Sequence, residues 1–209
     1  MKFKAVLAAL TLGAMASLPA QAAVVTPPLG FDLTLSGNTN VPTFTLVNTS
    51  AAGQQLTGFT FTIGNVSRHF DFVNSLSNPA GGTSTLNSPD SVDNGARSDT
   101  IDLTFTGFDA GESVSFAADV DLDPSFNSTQ DYRNVFFNNG TALNSVATAF
   151  FAFGTSVSLT LPDNPVNQSS YSFSASNGVS AVPLPAALPL LVAGLAGLGI
   201  LSRRRKTAA

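Results

Sequence analysis

The chain has 209 residues, no Cys, a single His and a formal net charge of −4 at pH 7. That composition excludes a disulfide framework, a Cys–His nucleophile pair and a multi-histidine zinc site. All thirteen acidic residues lie between Ala23 and Ala181 against only Arg68, Arg97 and Arg133, so this stretch carries 3 − 13 = −10. A surface of that sign repels nucleic-acid phosphates and serves solubility, or draws divalent cations.

At the N-terminus, Lys2 and Lys4, the apolar run from Ala5 to Leu18 and the small residues Ala20 and Ala22 around Gln21 form the three parts of a secretory signal. The expected route is through the Sec machinery, with signal peptidase cutting after Ala22. The predicted organisation is a signal peptide over 1–22, a β domain over 23–175, a linker over 176–181 and a C-terminal signal over 182–206. A body of this length buries a core without crosslinks, within the usual ~100–200 residues of a domain.

Period-two alternation recurs along the body. Phe31, Leu33 and Leu35 alternate with Asp32 and Thr34, and Phe59, Phe61 and Ile63 alternate with Thr60 and Thr62. The stretch from Ser75 to Ser98, rich in Asn, Ser, Gly and Pro, reads as a long surface loop. Ile101, Leu103 and Phe105 follow, then Val114, Phe116, Ala118 and Val120, then Val157, Leu159 and Leu161, then Tyr171, Phe173 and Ala175. Each run has one apolar face to bury and one Thr, Ser or Asp face for water. Asn94-Gly95, Asn139-Gly140 and Asn177-Gly178 supply turn positions, and Phe108 to Gly111 reads as a tight link between neighbouring strands. No stretch shows helical periodicity with caps. The predicted fold is all-β: two antiparallel sheets packed as a sandwich, Ig-like or jelly-roll-like, with strand order left open. Sixteen of the seventeen Phe fall in this body, where core packing is their expected role, since sugar-binding aromatics are ordinarily exposed Trp and Tyr.

Chemistry has few places to reside. His69, beside Arg68 at the edge of a predicted strand, reads as an ordinary surface or strand-edge histidine, and no G-x-S-x-G elbow accompanies it. Asp119, Asp121 and Asp123, with Asp131 nearby, form the strongest constellation. On a strand, residues i, i+2 and i+4 share a face, and three carboxylates so crowded need solvent, Arg or a cation to offset them. The spacing opens like a calcium loop, yet position six is Pro124 and position twelve is Gln130, so it is not an EF-hand. A solvated, charge-rich strand end and a calcium site both remain open. The sequence calls for no other cofactor. Asn-x-Ser/Thr triplets, at Asn48 among other positions, arise easily in a chain rich in these residues and carry no assigned role.

At the C-terminus, Val182-Pro183-Leu184-Pro185-Ala186 leads into an apolar run ending at Leu201, followed by Arg203-Arg204-Arg205-Lys206. At ~1.5 Å per residue the sixteen residues from Ala186 to Leu201 reach about 24 Å, short of a ~30 Å hydrocarbon core. Snorkelling arginines and the preceding Val182-Pro183-Leu184-Pro185 make up the difference, and the basic cluster holds its own side cytoplasmic. A marginal span suits temporary retention in the inner membrane.

This motif–apolar–basic order closely resembles the PEP-CTERM class of bacterial sorting signals, in its VPLPA variant. The resemblance covers about Val182 to Lys206. It implies recognition by an exosortase-type membrane processing enzyme in a Gram-negative bacterium, with delivery to the cell surface or extracellular matrix, alongside exopolysaccharide and biofilm. The stretch from Gly107 to Asp123 is similar to strands in the β-rich bodies of such proteins. The expected function is therefore a non-catalytic surface or matrix protein. A calcium- or carbohydrate-binding adhesin is the alternative, and a secreted hydrolase a third reading.

Overall fold

Alternation builds the first strand, β1 (Gly30–Gly37): Phe31, Leu33 and Leu35 are fully buried while Asp32 and Thr34 are half-buried on the other face. The structure, a computed structural model, describes residues 27–178 except 38, 93, 138–141 and 164–167. The expected signal peptide with Ala20 and Ala22, Asn139-Gly140 and the whole of Val182 to Lys206 lie outside the described residues. Nine further strands follow: β2 (Pro42–Asn48), β3 (Leu56–Thr62), β4 (Arg68–Asn74), β5 (Thr83–Ser88), β6 (Thr100–Phe108), β7 (Ser113–Leu122), β8 (Val146–Phe151), β9 (Ser156–Thr160) and β10 (Ser170–Ser176).

They form two antiparallel five-stranded sheets, in the orders β10-β1-β2-β7-β4 and β5-β6-β3-β8-β9. Hairpins join β1 to β2, β5 to β6 and β8 to β9, and the other connections pass from one sheet to the other. The two inner faces meet through rings: Phe31 of β1 against Phe59 of β3, and Phe44 of β2 against Phe61 of β3. This is an all-β sandwich. Among the described residues, helix is confined to α1 (Tyr132–Phe136) and a single 3-10 turn, Ala152–Gly154.

Four strands and α1 depart from the sequence reading, each for a physical reason. Pro42 opens β2 opposite Gly37, at a strand's first residue, where proline is tolerated. In β4 a bulge between Phe70 and Phe72 breaks the period of two. Thr83 to Ser88 is not loop but the edge strand β5, which shows no hydrophobic alternation because no side chain in it is fully buried. In β8 the buried positions include Ala147 and Ala149, too small to raise an apolar pattern. The five residues of α1 are too few for helical periodicity. Their start is capped by Asp131, whose side chain accepts from the Arg133 amide. Phe136 of α1 then reaches Phe44, Phe61 and Phe70, with ring centroids 4.8–5.9 Å apart, and so plugs one end of the sandwich.

The link from Phe108 to Gly111 is tight, with Gly111 at φ 88, a conformation glycine adopts without strain. It joins β6 to β7, which are strands of opposite sheets and not paired neighbours. Asn48, at the end of β2, fastens this corner: its fully buried amide nitrogen donates to the carbonyls of Gln54 and Phe108, both at 3.0 Å.

Candidate cation site

Val114, Phe116, Ala118 and Val120 of β7 face the core, so Asp119 and Asp121 must point from the opposite face of that sheet. In β4, Phe70 pairs with Val120 and Phe72 with Asp119, leaving Asp71 as the extra residue of the bulge. An extra residue re-aims a side chain. Here it brings Asp71 to Asp119 and Asp121, and the carboxylates of the three can each offer an oxygen within 4.8 Å of the others.

Loops from three parts of the chain orient this cluster. The Asn40 side chain, between β1 and β2, donates to Asp119 Oδ1 at 2.8 Å and accepts from the Gln130 amide at 2.8 Å. The Asn94 amide, from the predicted Asn94-Gly95 turn, donates to Asp71 Oδ2 at 3.2 Å, and Asn94 sits at φ 60. Ser128, after β7, donates to Asp121 Oδ1 through its amide at 2.5 Å and its hydroxyl at 2.8 Å. Asp71 is 0% exposed and Asp121 1%. Each retains one buried oxygen with no hydrogen-bond partner, Oδ1 on Asp71 and Oδ2 on Asp121.

Asp71 and Asp121 are therefore closed off from water, while Asp119 and Asp123 are half-buried and Leu122 at the strand end stays exposed. The loop after β7 folds back over Asp121, and Ser98 bridges to Phe70 along the outer edge of β4. Burial holds the Asp71 carboxyl above its ordinary value of 3.8, and the neighbouring Asp121 charge adds to the shift. The Asn94 amide and His69 pull the other way.

The remaining candidates lie apart from that cluster. Asp123 falls just past β7, with Oδ1 2.9 Å from His69 Nδ1 and 3.9 Å from an Arg97 nitrogen. His69 lies beside Arg68 at the start of β4, the edge of a strand as expected, but it is buried and not on the surface, at 1% exposure. Its ring meets Phe126 edge-on at 5.7 Å, and the Arg97 guanidinium lies 4.1 Å above the same Phe126 ring. Asp131 binds Arg133 through both carboxylate oxygens, with the closest contact at 2.6 Å. That pairing is the chief reason the Asp131 carboxyl is held below its ordinary range.

Of the four aspartates singled out in the sequence, the fold groups Asp119 and Asp121 and pairs Asp123 and Asp131 with basic side chains. Asp71 escaped the sequence reading because it lies 48 positions before Asp119, and only the pairing of β4 with β7 joins them. The cluster offers hard oxygen ligands, the donor set of calcium or magnesium.

Compared with protein-family models, curated proteins and solved structures, the chain matches none. Among the described residues, no helix is long and apolar enough to cross a membrane.

Proposed function

We propose that the chain is an exported, non-catalytic β-sandwich protein of the cell surface or extracellular matrix, sorted by its C-terminal signal. The single observation that carries this reading is the order Val182 to Ala186, apolar run to Leu201, then Arg203 to Lys206, placed after the folded body. In this account the motif is read by an exosortase-type enzyme. The apolar run holds the chain transiently in the inner membrane, and the basic cluster fixes its orientation. The body then reaches the surface of a Gram-negative cell, in the company of exopolysaccharide.

Two features of the body support a non-catalytic role. Two carboxylates of the acidic cluster, Asp71 and Asp121, are buried, whereas glycosidase chemistry needs a pair that flanks the bond to be cut. Most of the Phe side chains are spent on the core, and Phe153 at 98% exposure is an isolated ring at a hairpin tip. The test is replacement of Arg203, Arg204, Arg205 and Lys206 by neutral residues, followed by cell fractionation. The expected result is loss of membrane retention and of C-terminal processing. Unchanged sorting and processing would defeat the reading.

A further inference from the structure

We propose that Asp71, Asp119 and Asp121 bind one calcium ion on the outer face of the first sheet, with Asp71 supplied by the bulge in β4. This goes beyond the sorting reading and stands or falls separately from it.

Buried carboxylates are ordinarily paired or coordinate a metal, because an unpaired buried charge is costly. Here Asp71 Oδ1 and Asp121 Oδ2 are both buried and unpartnered. Among the described residues the three arginines are directed elsewhere, Arg68 to Ser67, Arg97 towards Asp123 and Arg133 to Asp131, and His69 Nδ1 lies 2.9 Å from Asp123 Oδ1. The hydrogen bonds divide in a way that favours a ligand. On Asp71 and Asp121 one oxygen is fixed by donors from Asn94 and Ser128, and the other is left for coordination. Outer contacts that orient ligating carboxylates are a regular part of metal sites.

The donor set favours calcium: it accepts carboxylate oxygens in flexible geometry, whereas magnesium demands near-ideal octahedral geometry and keeps several of its waters. Three carboxylates from two strands, each offering an oxygen within 4.8 Å of the others, suit the more permissive ion. Extracellular calcium modules work at about 10⁻⁴–10⁻³ M, the regime an exported body meets. Bound there, the ion ties the edge strand β4 to β7, and through Asn40, Asn94 and Ser128 it steadies three loops at once.

The test uses the full chain in detergent, stripped with EDTA and titrated with CaCl2 by calorimetry, alongside thermal unfolding followed by circular dichroism. One ion per chain and a raised Tm are expected. Asp71→Asn and Asp121→Asn, which remove ligands, are expected to weaken binding by at least the roughly 10- to 100-fold that losing an orienting partner costs, while Asp123→Asn and Asp131→Asn, whose carboxylates lie against His69 and Arg133, weaken it by less than about tenfold. Should either cluster variant fail to fold, the wild-type Tm with CaCl2 against EDTA still decides. No heat and no Tm change at about 10 mM CaCl2, tenfold above the weakest extracellular sites, would overturn the proposal. So would equal stabilisation by MgCl2, or binding that survives Asp71→Asn and is lost in Asp123→Asn.

Discussion

Phe44→Ala removes the ring on which both sheets and α1 converge. Phe44 is fully buried, stacked on Phe116 at 4.7 Å with the planes 10° apart. It meets Phe61 edge-on at 5.1 Å and Phe136 at 5.8 Å. Truncating a buried Phe costs about 3–5 kcal/mol through lost transfer energy and the cavity left behind. Three ring partners place this site in the upper part of that range, at about 4–5 kcal/mol, since aromatic pairs contribute ~0.5–1.5 kcal/mol each beyond area alone. That is roughly a quarter or more of a typical domain stability of ~5–15 kcal/mol. Phe44→Leu keeps most of the volume and loses the ring geometry, so about 1–2 kcal/mol is expected. Phe153→Ala, at a ring 98% exposed, is the control, with a change within about 0.5 kcal/mol. Urea unfolding at fixed calcium, followed by far-UV circular dichroism and by the fluorescence of Tyr132 and Tyr171, measures all three in a chain without Trp. A Phe44→Ala cost below about 1 kcal/mol, far under the usual range for a buried Phe, would refute the packing argument.

The raised Asp71 carboxyl gives a pH dependence of definite sign. Between its unfolded value near 3.8 and its higher folded value, the folded state keeps a proton that the unfolded state has lost. In cation-free buffer its contribution therefore destabilises progressively as pH rises through that window, and the deficit persists above it. Calcium requires the ionised form, so the gain in Tm from CaCl2 grows over the same window, and Asp71→Asn flattens both trends. Thermal scans at a series of pH values with EDTA and with CaCl2 check this, and a calcium gain that shrinks with pH would contradict it. Asn48→Ala leaves the Gln54 and Phe108 carbonyls without their side-chain donor at the sheet-to-sheet corner. A loss of about 1–3 kcal/mol is expected from such unsatisfied groups, read as a lower urea midpoint with unchanged slope.

Strands with large alternating side chains were legible in the sequence, because Phe31, Leu33 and Leu35 or Ile101, Leu103 and Phe105 write the pleat directly. Where burial used Ala147 and Ala149, or where β5 kept no fully buried face, the pattern had nothing to write with. The candidate site was half legible. Asp119 and Asp121 sit two apart on one strand, and local spacing suffices to put them on one face. Asp71 joins them through a bulge and a long-range pairing, neither of which has a short-range sequence signature. Burial was equally hidden: a stretch of Asp, Ser and Asn reads as wet, yet Ser128 folds back to seal Asp121.

Intact-mass spectrometry of the protein recovered from the native host bears most directly on the central claim, that the carboxyl end directs delivery of a β-built body. The account predicts a species starting at Ala23, lacking the residues beyond the Val182–Ala186 region, in the surface or matrix fraction. Full-length chain carrying Arg203 to Lys206 and confined to the cytoplasm would contradict it.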